Sequence, residues 1–295
     1  MKTIALFDKH NKEAFDKEVH SVSIAPDERF AASAGGDGTV RIWSIATLQE
    51  KAVYDRHARN ATGDPWAVMA ADWSPDNRFI ASGGKDGVMR IWHPFEIEDI
   101  AVLQKHNHWI NDLRRSPDGN FIASCSRDGS LLIWDTQNWK PRKKFQFSEY
   151  SSMRALSWNN DGSRIAAVSD SGFIRVLDPL GGKILLKRRL SNQDAVTSVD
   201  WHGITDLIVT FANMIKDEKA AVHILSPKDL TDVQKYNFKK EYIRKVKWSK
   251  NGEQFAAGTN QRRVYICRAL EKPDVQILIG HKSEISSKVM TTLWK

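Results

Sequence analysis

Short apolar stretches alternate with turn signals along almost the whole chain, at a spacing too tight for helices. Ala25-Pro26-Asp27, Ser74-Pro75-Asp76 and Ser116-Pro117-Asp118 each follow an apolar segment, and Asn159-Asn160-Asp161-Gly162 and Ser249-Lys250-Asn251-Gly252 repeat the signal in altered form. Each predicts a turn between two strands. Further along the same units, Asp37-Gly38, Asp86-Gly87 and Asp128-Gly129 supply the positive φ of a tight hairpin. Each leads into an alternating strand that ends at Trp43, Trp92 or Trp134.

Two sets of anchors give the period. The strand-ending set is Trp43, Trp92, Trp134, Leu177, Leu225 and Cys267, spaced by 49, 42, 43, 48 and 42 residues. The set closing the preceding inner strand is Ile24, Trp73, Arg115, Trp158, Trp201 and Trp248, spaced by 49, 42, 43, 43 and 47. Two hairpins per period, with no 3.6-residue pattern between them, predict four short strands per unit. Radial closure is what protects so many strand edges. The expected fold class is therefore all-β: a single β-propeller over residues 1–295.

The endings Thr39-Val40-Arg41-Ile42-Trp43, Met89-Arg90-Ile91-Trp92 and Leu132-Ile133-Trp134-Asp135 resemble those of the WD-repeat propeller family, over nearly the whole chain. The resemblance implies that in each blade a His, a strand Ser, the hairpin Asp and the terminal Trp form one hydrogen-bonded chain. The third unit fits best, with His106, Ser124, Asp128 and Trp134. The second fits with His57, Ser82, Asp86 and Trp92. The first has Ser33, Asp37 and Trp43 without a matching His, and units four to six lack both His and Trp.

Gly280-His281 opens a seventh unit, and in the family the N-terminus completes the last blade. Ile4-Ala5-Leu6-Phe7-Asp8 has the look of a repeat-ending strand, with residues 13–17 as its outer strand. The expectation is seven blades with an incomplete last one, residues 3–7 joining residues 285–294. Either that blade is short or the natural protein continues beyond Lys295. A six-bladed ring is the alternative.

Composition narrows the function. With 41% hydrophobic and 27% charged residues, disorder is excluded as the main state. No apolar run approaches the roughly 18–20 residues of a bilayer span, and the first residues carry no signal-peptide core. The protein is expected to be intracellular, in cytoplasm or nucleus, without membrane insertion. Cys125 and Cys267 form neither a disulfide framework nor a zinc spacing. An excess of eight positive charges draws acidic partners, nucleic acid or anionic membrane surfaces alike.

Catalytic motifs are absent: there is no phosphate loop, no nucleophile elbow and no His-Glu-x-x-His. His106-Asn107-His108 lacks a completed metal shell, and Asn60-Ala61-Thr62 matches a glycosylation acceptor only by pattern. No cofactor, metal or catalytic residue is expected. The expected function is a non-enzymatic scaffold for a partner protein, within a multi-subunit complex; an enzyme built on the propeller channel is a rival class. Residues 58–65 and 213–219 are insertions, and the resemblance puts both on the propeller's narrow face. The same face is expected to carry Trp66, Lys85, Trp109 and Arg127, an aromatic and basic rim suited to an acidic or phosphorylated segment.

Two features compete with that reading. Residues 235–250 interleave seven basic residues with Tyr236, Phe238, Tyr242 and Trp248, a pattern that nucleic-acid binding uses and that blade packing explains better. Arg115 stands at an inner apolar position and must either snorkel or pair with a carboxylate such as Asp72. The repeat alignment is open to test: Asp128→Ala should cost about 1–3 kcal/mol in a denaturant titration, because buried partners lose their acceptor. Asp161→Ala, in a plain turn, should cost less, and equal losses would show the alignment to be wrong.

Overall fold

A computed structural model describes residues 18–147, 151–192, 195–203, 205–214, 219–239, 241–261, 263–269 and 275–279. They form six four-stranded sheets in which consecutive strands are hydrogen-bonded neighbours. The first sheet is β1 (Val19–Ile24), β2 (Phe30–Gly35), β3 (Val40–Ser44) and β4 (Glu50–Tyr54). The second is β5 (Val68–Trp73), β6 (Ile80–Gly84), β7 (Met89–Trp92) and β8 (Asp99–Leu103). The third is β9 (Ile110–Arg115), β10 (Phe121–Ser126), β11 (Ser130–Asp135) and β12 (Pro141–Gln146). The fourth is β13 (Met153–Trp158), β14 (Ile165–Ser169), β15 (Phe173–Asp178) and β16 (Lys183–Arg189). The fifth is β17 (Val199–Trp201), β18 (Ile208–Met214), β19 (Lys219–Leu225) and β20 (Asp232–Lys239). The sixth is β21 (Ile243–Trp248), β22 (Gln254–Thr259), β23 (Arg263–Arg268) and β24 (Val275–Ile279).

The architecture is thus all-β, with six propeller blades among the described residues. Six is the number of the alternative expectation. Residues 3–7, 13–17 and 285–294, assigned above to an incomplete seventh blade, lie outside the described residues. No described residue is helical, so none belongs to a helix long and apolar enough to cross a membrane.

Both anchor sets fall where the repeat spacing puts them. Ile24, Trp73, Arg115, Trp158, Trp201 and Trp248 each end an inner strand, and the second set closes the third strands. The outer strand bulges beside that closing anchor in each of the first five sheets. The second strands are built from small residues: Ala31-Ala32-Ser33-Ala34 in β2, Ala81-Ser82-Gly83-Gly84 in β6 and Ala166-Ala167 in β14 are all buried. A strand covered on both faces and both edges has room for little else.

The chain divides between Leu113 and Arg114, within β9, into two compact units. In the first, the layer between the first two sheets packs Ile42, Tyr54, Val68, Trp73, Ile80 and Trp92. In the second, Trp158 sits in the layer between the third and fourth sheets, Trp201 between the fourth and fifth, and Trp248 between the fifth and sixth. Each inner-strand tryptophan therefore plugs the layer facing the preceding blade. Burying such a side chain stabilises by roughly 1.5–3 kcal/mol.

Polar groups on the inner strands join one blade to the next. Ser23 Oγ donates to Asp72 at 2.8 Å, and Arg115 is half-buried at the end of β9. Ser157 Oγ accepts from the Trp201 amide at 3.0 Å. Asp200 accepts from the Trp248 amide at 2.9 Å and from Lys247 Nζ at 2.6 Å.

Between third and fourth strands the turns share one geometry. The amides of Leu48, Ile97, Trp139, Gly182 and Leu230 donate to the carbonyls of Ser44, His93, Asp135, Asp178 and Ser226, four residues back. All five donors are left-handed, with φ between 57° and 73°. A side chain there costs about 1–2 kcal/mol, repaid only where it is buried. Leu48 is 47% exposed and Leu230 1%. Leu48→Gly should therefore raise the melting temperature, whereas Leu230→Gly should lower it, as read by thermal unfolding followed by circular dichroism.

Candidate functional site

The second blade contains the full buried chain. His57 Nδ1 lies 2.9 Å from Asp86 Oδ2, His57 Nε2 lies 2.9 Å from Ser82 Oγ, and Trp92 Nε1 donates to Ser82 Oγ at 3.1 Å. Asp86 also accepts from the Val88 and Ala58 amides. The carboxylate thereby fixes both the hairpin between β6 and β7 and the loop leading into β5. Tyr54 of β4 stacks on Trp92, with ring centroids 4.2 Å apart, and its hydroxyl donates to Asp99. Burial, reinforced by the Asp99 carboxylate, raises the Tyr54 pKa, so the phenol stays neutral.

The same groups recur in the first and third blades. In the first, Trp43 Nε1 donates to Ser33 Oγ at 2.7 Å, and Asp37 Oδ1 accepts from the Thr39 amide. In the third, Trp134 Nε1 donates to Ser124 Oγ at 2.8 Å, and Asp128 Oδ1 accepts from the Ser130 amide and hydroxyl. His106 is buried. In the second blade it is His57 that takes the His position of the chain.

This framework holds the aromatic and basic residues picked out from sequence. The start of each inner strand pairs with the end of the second strand, as in Val19↔Gly35 and Val68↔Gly84. Loops before inner strands and hairpins after second strands therefore lie at the same end of their own sheet. Residues 58–65 sit at that end of the second sheet, braced by the Arg59↔Pro65 bridge. Asn213, Met214 and Lys219 extend the β18–β19 ladder to that end of the fifth sheet; residues 215–218 lie outside the described residues.

Lys85, in the β6–β7 turn, holds its Nζ 5.2 Å from the centroid of the Trp109 ring. Both side chains are half-buried. The Lys85 amide donates to Ala67 O, next to Trp66, and the Trp66 amide donates to Ala58 O. Gly87 permits the approach: at φ 72°, a Cβ there would meet the His108 carbonyl oxygen at 3.2 Å. Lys85 and Trp109 are thus in contact, and Trp66 lies one residue from the backbone bond that seats Lys85. Arg127 is exposed in the β10–β11 turn, within the second unit. The ammonium over the indole is a cation–π contact.

The competing basic stretch packs differently. Tyr236, Phe238 and Trp248 are buried in the layer between the fifth and sixth sheets. Lys247 is committed to Asp200. Among the described residues no group of three or more His, Cys, Asp or Glu side chains could hold a metal. Cys125 and Cys267 are buried free thiols, and burial pushes the Cys267 thiol up to about 12.

Sequence comparison agrees with this geometry. A family model described as "WD domain, G-beta repeat" matches residues 1–44, 52–93, 97–135 and 139–178, more than half of the chain. The chain belongs to the WD-repeat family. It is also similar to "Protein hir-1" of Neurospora crassa, 43% identical over 53 residues, which are 18% of this chain and 5% of that protein. The chain therefore spans only a small part of that relative's length.

Sequence reasoning missed a second pairing rule. The outer-strand residue opposite the third-strand anchor is Glu50, Asp99 or Asp232 in blades one, two and five. Each pairs with the residue two before the anchor: Arg41 with Glu50 at 2.7 Å, Arg90 with Asp99 at 3.3 Å, and His223 with Asp232 at 2.6 Å. The acid and its partner lie nine residues apart every time, which is the signal a search by repeat phase would find.

The Asp86 charge should be visible in acid. Burial opposes its ionisation, but hydrogen bonds from His57 and the two amides outweigh that and hold its pKa below the usual carboxylate range. With the folded pKa depressed, the stabilisation is complete above about pH 4, the unfolded value, and is lost as pH falls through the folded one. Asp86→Asn should cost about 1–3 kcal/mol at neutral pH in urea titrations. The difference from wild type should shrink below pH ~4; a constant difference would argue against the assignment.

Proposed function

We propose that the protein is a non-enzymatic interaction scaffold that grips a segment of a partner protein, with Trp66, Lys85, Trp109 and Arg127 on the contact surface. WD-repeat propellers are in general scaffolds without catalytic activity, and this chain's family membership supports that class. The observation that carries the site is the Lys85–Trp109 pair. Its turn is held by the buried Asp86–His57–Ser82–Trp92 chain, so little side-chain freedom remains to be lost on binding. Lys85 and Arg127 would meet carboxylates or a phosphate of the partner, and Trp66 and Trp109 would cover its apolar residues.

Membership of a multi-subunit complex is part of the same reading, since a surface with no chemistry of its own acts by bringing partners together. Two buried free thiols suit a reducing intracellular compartment, cytoplasm or nucleus. Against the nucleic-acid reading stands the burial of Tyr236, Phe238 and Trp248, which removes them from base stacking.

Affinity capture from native cell extract, comparing wild type with a Trp109→Ala/Arg127→Glu double variant, tests the proposal. The variant should lose its main protein partner while its melting temperature stays within about 2 °C, as surface substitutions do. An unchanged partner set would sink the site. Recovery of mainly nucleic acid, with affinity falling steeply as salt rises, would move the basic-strip reading ahead.

A further inference from the structure

The outer edges of the third and fourth blades carry unbalanced charge. β12, with Lys140 just before it, holds Arg142, Lys143 and Lys144, and β16 holds Lys183, Lys187, Arg188 and Arg189; neither strand contains an acid. Three of the β16 cations are engaged: Arg188 with Asp232 and the Leu230 carbonyl, Arg189 with the Ser191 and Asn192 carbonyls, and Lys187 over the Phe173 ring at 4.3 Å. Lys140, Arg142, Lys143, Lys144 and Lys183 form no ion pair among the described residues. The acids that end the preceding strands, Asp135 and Asp178, accept from backbone amides: Gln137 N on Asp135, and Leu180 N and Gly181 N on Asp178.

The two edges adjoin. Gly182, left-handed at φ 73°, lies so close to Lys143 that a Cβ there would sit 2.2 Å from the lysine Cε. The Lys143 stem therefore runs across the turn between β15 and β16 and sets its ammonium beside Gly182, the residue before Lys183. In the midst of this charge lie Leu180, Ile184 and Leu185, 51%, 50% and 43% exposed. Leu185 is the bulged residue, skipped between the pairs Val176↔Leu186 and Leu177↔Ile184.

We infer that this edge docks an extended acidic segment of another protein, one in which aliphatic residues alternate with Glu or Asp. β16 is the edge strand of its sheet, so its outward amides and carbonyls can pair with an added strand. Alternating side chains of that strand would place carboxylates on Lys143, Lys144 and Lys183 and aliphatics on Leu180 and Ile184. The charge selects the occupant. Lysines on an edge repel a second copy of the same edge and attract a strand of opposite sign. An anionic bilayer leaves edge backbone groups unsatisfied, and nucleic acid has no use for exposed aliphatics where stacking needs rings. The inference stands independently of the Lys85–Trp109 reading.

A fluorescein-labelled peptide of alternating Glu and Val, titrated with the full chain and followed by anisotropy, tests it. Saturable binding is expected, lost when Gln replaces every Glu. Arg142→Glu/Lys144→Glu should weaken it about tenfold or more, and Ile184→Asn about threefold or more, with unchanged melting temperatures. Should the double variant fail to fold, Lys183→Glu gives the same reading. Trp109→Ala should leave the peptide affinity as it was. The inference is overturned if the peptide does not bind, if these substitutions leave its affinity intact, or if Trp109→Ala abolishes it. It is equally overturned if phosphatidylserine vesicles or oligo-dT bind more tightly through the same residues.

Discussion

Each sheet's second strand has sheet neighbours on both edges and apolar layers on both faces, and this confinement governs the rest of the molecule. It restricts β2, β6, β10 and β14 to Ala, Ser, Gly, Cys and short aliphatics along most of their length. The bulk needed to fill the interblade layers must then come from the strands alongside. Third strands supply Ile42, Ile91, Ile133 and Val176, and inner strands supply the tryptophans. A small residue at Ser33, Ser82 or Ser124 also leaves room for an indole from the third strand to approach and donate its hydrogen bond. Packing and polar satisfaction are thus met by the same serine.

The candidate site inherits its rigidity from that confinement. Asp86 is 2% exposed at the side chain and His57 is fully covered, so the turn between them and Ser82 has one arrangement available. Lys85 projects from the residue next to Asp86, on the rim of a turn whose interior cannot adjust. A flexible lysine on an adaptable loop would lose more freedom on binding than one leaning on Trp109.

Much of this was legible in the chain. Period and turn chemistry locate the anchors because Asp-Gly hairpins and inner-strand tryptophans recur in phase, and all twelve anchors end or close the strands assigned to them. Lys85 and Trp109 could be placed at one end of their sheets for the same reason. Less legible was the place of His57 in the second blade's chain, because it lies before a long insertion and its distance to Ser82 differs from that of His106 to Ser124. The fate of residues 235–250 was also open, since alternation alone does not say which face of β20 is covered; Tyr236 and Phe238 turn out to face the sixth blade. The exposed apolar residues of β16 are not legible in the chain, because no local signal marks the bulge at Leu185.

The nine-residue pairs Arg41–Glu50, Arg90–Asp99 and His223–Asp232 bear on how such a chain can change over generations. Each joins the third strand of a blade to its own fourth strand, so both members lie within one hairpin. Losing either alone leaves a half-buried charge or imidazole facing an empty position. Where the acid is replaced by Pro141, Ile184 or Val275, the facing residue is Leu132, Arg175 or Tyr265, and Arg175 has turned to the rings of Phe147 and Phe173 instead. The hairpin, more than the single residue, is then the unit that drifts: its two strands diverge together, while the inner strands that stack the blades are left to keep time.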